Sequence, residues 1–310
     1  MVNFEFIGKR KIWYCISIIM IVISIVSVCT LGLNKGIDFT GGNIIQVKFE
    51  QVTDMATVRE VVLKYTTQTP SIRQSGENEF LIRTSLLEED ENEAIVSDLA
   101  STIGPMTVLR NDRIGAVIGS ELLANALKAL AIAIVLMLVY ITIRFKFNFA
   151  IPAILCLLHD VVCMLGVFSL FQLEVDSTFV AAVLTIFGYS INNTIVIYDR
   201  IRENNKMHLK QELPLLVNTS IRQTLARTIN TVVAILILLI CLNLFGGETT
   251  KLFAFALIVG SMIGAYTSVF IAGSLLVDIT NKMEHHKKNK TSDRAKTHLK
   301  TNRRPVPVKK

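Results

Sequence analysis

The chain has 310 residues, 51% of them hydrophobic and only 18% charged, with a mean hydropathy of +0.50. That balance excludes a purely soluble chain and describes a multi-span membrane protein with a modest soluble part. The net charge of +7 belongs to one end: residues 281–310 carry +9, which leaves −2 for the rest.

Taken in order, six apolar runs are long enough to cross a bilayer: 12–33, 122–143, 149–171, 178–198, 225–245 and 252–278. The first follows Lys9-Arg10-Lys11 and has no small-residue cleavage pattern before polar sequence, so it reads as a retained signal-anchor. Basic residues recur on one side: 9–11, Arg144 and Lys146, Arg200 to Arg222, and the tail. The positive-inside bias then places both termini in the cytoplasm, with Trp13 and Tyr14 at the inner interface. All five cysteines fall in apolar runs, so no disulfide framework is expected.

Between the first two spans lies the one sizeable soluble segment, 34–113, expected outside the cytoplasm. Residues 43–50 alternate like a strand and 54–65 read as a helix. Residues 71–74 and 79–84 suggest a hairpin, 88–103 a second helix stopped by Gly104-Pro105, and 106–110 a last strand. The order β-α-β-β-α-β is ferredoxin-like. At about eighty residues its core is small, so help from a neighbour is expected. Its eight basic and thirteen acidic residues describe a mostly solvated surface. The predicted organisation is a cytoplasmic N-terminus (1–11), a first transmembrane helix (12–33), an extracytoplasmic ferredoxin-like domain (34–113), five further helices (114–278) and a basic, disordered-type cytoplasmic tail (279–310). That tail suits solvent or anionic lipid rather than a specific nucleic-acid site.

The fourth run carries Gly188, Tyr189, Ser190, Asn192, Asn193 and Thr194, then ends in Asp199, Arg200, Arg202 and Glu203. Polar groups at that depth must face other helices or a water-filled path; helix glue and a transport pathway both fit Asn192 and Asn193. The third run holds His159-Asp160, with Asp160 roughly 16 Å in at 1.5 Å per residue, near the midplane. No further His or Cys stands at ligand spacing, so a buried carboxyl, paired or protonated, is expected rather than a metal site. In the fifth run Arg222 can snorkel, whereas Arg227 lies deeper. Asn193 and Arg227 both fall about 8–9 Å from the cytoplasmic edge by helical rise. The sixth run has Ala256, Gly260, Gly264, Ser268 and Ala272 at four-residue spacing, a stripe for close helix packing. Gly260, Gly264 and Ser268 are candidates for contact with a partner subunit, or for packing within the chain.

Several of these motifs together resemble the SecD/SecF family of bacterial protein-export membrane subunits. They are Gly36-Ile-Asp-Phe-Thr-Gly-Gly42, His159-Asp160-Val161, the long motif 188–204, residues 218–228, and Leu244-Phe-Gly-Gly247. The order and the six-span plan match from about residue 30 to 278. The resemblance implies half of a resistance-nodulation-division type machine, paired with a SecD-like subunit. It implies assistance to the SecYEG channel at a late stage of preprotein export, driven by ion flow, usually protons. YajC-like and YidC-like proteins, unfolded preproteins and membrane lipids are the other implied partners; no cofactor is implied. Gly36, Asp38, Gly41, Gly42, Asp199 and Arg200 carry the family motif. By the resemblance, the position of Asn193 commonly holds Asp, working with the arginine that matches Arg227. Asn193 cannot exchange a proton as a carboxylate does. The acid then comes from the partner, or Asp160 substitutes, or the coupling ion differs.

Two other classes remain. An independent exporter of lipids or small molecules shares the architecture, but such exporters usually carry both halves in one chain. An enzyme finds no support in Gly-x-Ser-x-Gly, His-Glu-x-x-His or a phosphate-binding glycine loop, none of which occurs.

Overall fold

The computed structural model describes residues 4–66, 69–145, 147–207 and 211–283. Most of the predicted tail, and the cations Lys146 and Lys210, lie outside them. The described part is an α-helical polytopic protein with a small α+β domain.

Six helices are long and apolar enough to span. They are α1 (Arg10–Leu31), α5 (Ala116–Arg144), α6 (Phe147–Leu170), α7 (Ser177–Met207), α8 (Leu213–Phe245) and α9 (Glu248–Tyr266). Helix α9 continues through a π-helical turn, Thr267–Ala272, to Met283. Helices α7 and α8 run well past their apolar stretches. Polar contacts hold those extensions together: Asn204 Nδ2 donates to Ser220 Oγ and to Gln223 Oε1, each at 2.8 Å. Helices α6, α7 and the last span form the buried centre, while α1, α5 and α8 leave most of their spans exposed. Water does not drive helices together inside lipid, so close contact comes from shape and small residues. Gly166 of α6 illustrates this: a Cβ there would collide with Ser24 of α1.

Between α1 and α5 come β1 (Asn34–Lys35), α2 (Ile37–Thr40), β2 (Gly42–Phe49), α3 (Met55–Leu63), β3 (Ser71–Gly76), β4 (Glu79–Thr84), α4 (Glu89–Ile103) and β5 (Met106–Ile114). The four longer strands form an antiparallel sheet in the order β3-β4-β2-β5, the split arrangement expected for a ferredoxin-like unit. Strand β5 runs past the expected Arg110 because its pairing with β2 continues to Gly42–Ile114, across an irregularity at Gln46/Val47. Ile45, Val47, Phe80 and Ile82 on one sheet face meet Val58, Ile95 and Leu99 of α3 and α4. Glu88 and Glu91 form a reciprocal capping box that starts α4.

The domain is fastened to the spans at several points. Strand β1 pairs in parallel with β6 (Glu174–Val175), in the α6–α7 connection. Arg83 of β4 forms an ion pair with Glu174, and Arg73 Nη2 donates to Gln172 O at 3.3 Å. These contacts supply the neighbour that a small core requires.

Candidate coupling site

The glycine motif is a structural hinge between sheet and spans. Gly36 N donates to Val175 O at 2.9 Å. Asp38 Oδ2 accepts from Ser177 N at 3.0 Å and from Ser177 Oγ, capping the start of α7. Gly41 has φ +73°, and a Cβ on it would stand 2.8 Å from Ala116 Cα, where α5 begins. Gly42, at φ +134°, abuts Thr84 O. Only glycine suits both the backbone and the space.

The opposite end of α7 is a staple of charges. Arg144 Nη2 reaches Asp199 Oδ1 at 3.1 Å and Oδ2 at 3.3 Å. Arg200 donates to Gln223 Oε1 at 2.6 Å and to Glu203 Oε2 at 2.7 Å. Asp199 and Arg200 therefore join α7 to α5 and α8, a role that needs no transported ion.

Asp160 lies at the centre of the bundle and is fully buried. Ser190 Oγ of α7 donates to Oδ2 at 2.8 Å, and Thr267 Oγ1 of the π-helical turn donates to Oδ1 at 2.9 Å. His159 Nδ1 stands 3.5 Å from Oδ1. A buried carboxyl accepting from two hydroxyls, with an imidazole beside it, fits the rule that buried polar groups are hydrogen-bonded. The Thr267 hydroxyl has a second acceptor, Gly264 O, at 3.2 Å. Its one hydrogen can therefore point to either. Protonation of Asp160 would turn a carboxylate oxygen from acceptor to donor and redirect that hydrogen. The π-helical turn Thr267–Ala272, a rare backbone form frequent at functional sites, begins at this contact. Ser268 continues the network: it donates to Ser190 O at 3.2 Å and lies 2.9 Å from Thr194 Oγ1.

The small-residue stripe is buried in the same core. A Cβ on Gly260 would lie 2.6 Å from Ile186 Cγ1, and one on Gly264 3.0 Å from Ser190 Cβ. Gly260, Gly264 and Ser268 thus pack within the chain against α6 and α7. Of the two readings of the stripe, contact with a partner or packing within the chain, the structure shows the second: their side is already occupied.

Asn193 and Arg227 share a depth but not a direction. Asn193 is 3% exposed, and its Nδ2 has no hydrogen-bond partner among the described residues. Asn192, one position before it, is exposed. Arg227 is exposed on α8. Its helix turns Arg227 outward, so equal depth with Asn193 brings no contact between the two. Among the described residues no group hydrogen-bonds or ion-pairs with its guanidinium.

A family profile described as "Protein export membrane protein SecD/SecF, C-terminal" matches residues 95–282, and one described as "SecD/SecF GG Motif" matches residues 26–51. The chain belongs to the SecD/SecF family. It is similar to the protein translocase subunit SecF of Sebaldella termitidis, 39% identical over 301 residues, covering 94% of this chain and 98% of that protein. The subunit SecF of Acidaminococcus fermentans is 39% identical over 292 residues, covering 92% and 100%. Among solved structures, SecDF of Thermus thermophilus, described as translocon-associated, superposes with a TM-score of 0.83 at 33% identity. It matches 90% of this chain, which spans only 39% of that longer one. A SecDF structure in a super-membrane-facing form gives 0.70 at 32% identity. With six apolar helices, this family member is a multi-pass membrane protein.

The sequence singled out Asp160, Ser190 and the stripe separately. Thr267 was not singled out, although it sits three residues beyond Gly264 and beside Ser268. A hydroxyl at that spacing, one helix away from a buried acid, is the signal that could have found it.

Proposed function

We propose that this chain is an accessory subunit of the Sec translocase that works with a SecD-like partner, using an ion gradient, protons first, to promote late stages of preprotein export. In this reading it lies in the bacterial cytoplasmic membrane with both termini cytoplasmic. The partner would act beside SecYEG, with YajC-like and YidC-like proteins nearby.

The observation that carries the proposal is the outward face of Arg227. An arginine stays charged in any protein setting and is expensive against lipid. Asn192, on the exposed face of α7, adds a second polar group that lipid does not suit. A subunit covering these residues and supplying a carboxylate removes both costs. Similarity to SecDF structures more than twice this chain's length supports a SecD-like partner. Asp160 supplies this chain with its own buried acid, placed to move hydroxyl contacts between α6, α7 and α9 when its charge changes.

A photo-crosslinking residue at Asn192, in cells that also express the SecD-like subunit, tests the pairing. The expected product joins the two subunits. Crosslinks only to lipid would overturn the placement of the partner.

A further inference from the structure

The sheet has a second face, turned away from α3 and α4 and towards the spans. Between this face and the ends of α6, α8 and α9 lies a cleft of ≈ 670 Å³. Its size is within the range of small-molecule sites.

The roof of the cleft is cationic. Arg73, Arg83 and Arg110 come from β3, β4 and β5 and line it together. Strand pairing puts them on one face: Arg83 stands opposite Ile44 and Arg110 opposite Gln46, and both opposing residues also line the cleft. The nearby acids are already engaged. Glu174 pairs with Arg83, Asp112 pairs with Arg110, and Asp176 caps α7 by accepting from Thr178 Oγ1 and from Phe179 N. Arg73 meets only a backbone carbonyl among the described residues, and Arg83 Nε is buried without an acceptor. Burial, and then the neighbouring Arg73, hold the Arg83 guanidinium down to about 10; Arg110 adds to this. Like charges crowded on a half-buried face call for an anion.

The floor belongs to the spans and joins apolar side chains to the polar Asn243 of α8 and Lys251 of α9. Leu252 and Phe255 are in the first turns of α9, and Phe171 follows α6. The occupant therefore needs a negative head and an oily body, at the depth of the membrane surface. A peptide fits less well, because the cleft offers a sheet face, whereas extended peptides add to sheet edges.

We propose that this cleft binds an anionic phospholipid from the leaflet on the sheet-bearing side, its phosphate held by Arg73, the one of the three arginines without an acidic partner among the described residues, beside Arg83 and Arg110, and its acyl chain laid along Leu252 and Phe255. Guanidinium forks suit phosphate oxygens. Such a lipid bridges the sheet domain and the spans and takes part in fixing their separation.

The test uses the full chain with its SecD-like partner in nanodiscs of mixed phosphatidylglycerol and phosphatidylcholine, with retained lipid counted by native mass spectrometry. Wild type should keep phosphatidylglycerol over phosphatidylcholine. R73Q is exposed and leaves the Arg83–Glu174 pair intact; it should lower that retention about tenfold, as loss of a charge-assisted contact implies. L252S should lower it too, without changing charge, whereas K128Q on α5 should not. Millimolar inorganic phosphate should not displace the lipid. Equal retention in R73Q and wild type overturns the proposal. So does displacement by free phosphate, or capture of an acidic peptide with no retained phosphatidylglycerol.

Discussion

Asp38, just after the first span, caps the amino end of the fourth through Ser177 N at 3.0 Å. The family's glycine motif thus closes a structural circuit from α1 to the sheet and back to α7. The circuit explains why an acid stands between the glycines: it satisfies an otherwise orphan helix N–H and complements the positive helix end.

Asp38→Ala should cost about 0.5–2 kcal/mol, the range for losing a side-chain acceptor at a helix start, with Asp176 still capping α7. A melting curve of the purified protein should shift down by about 2–4 °C for each kcal/mol. An unchanged curve would mean that the cap contributes nothing to stability.

Gly260→Leu should sharply reduce folded protein, because even a Cβ there is 2.6 Å from Ile186 Cγ1. The check is the yield of monodisperse protein when this chain is made without a partner. A normal yield would contradict internal packing of the stripe.

Asp160→Asn keeps a carbonyl acceptor for one of its two hydroxyl neighbours, whereas Asp160→Leu keeps none. Thr267 can turn to Gly264 O, so the hydroxyl left without an acceptor is that of Ser190, at a cost of about 1–3 kcal/mol. The Leu variant should therefore melt well below the Asn variant. Coincident melts would show that Ser190 does not depend on Asp160.

Six spans were legible because about twenty apolar residues suffice to cross a bilayer, a property of composition alone. The ferredoxin-like order was legible because period and turn residues mark each strand. What did not show was azimuth. Helical rise gave Asn193 and Arg227 equal depth, but not that Asn193 turns inward and Arg227 outward. Four-residue spacing gave Gly260, Gly264 and Ser268 one face, but not the neighbour on it. The Arg83–Glu174 pair was hidden because it joins the sheet to a loop beyond two later spans, and short-range patterns carry no such contact.

The orientation read from charge predicts that a cysteine replacing Glu77, exposed beside the β3–β4 turn, reacts with a membrane-impermeant thiol reagent on spheroplasts. The exposed Cys15, Cys29 and Cys241 are first replaced by serine to clear the background. Reaction only after lysis would place the sheet domain in the cytoplasm.

The most direct measurement of the coupling account is preprotein export into membrane vesicles carrying Arg227→Ala, with and without an imposed ion gradient. The account predicts a normal level of assembled complex, unchanged ATP-driven export, and loss of the extra export that the gradient gives. Full gradient-dependent stimulation in the variant would contradict it and leave Arg227 a snorkelling surface residue.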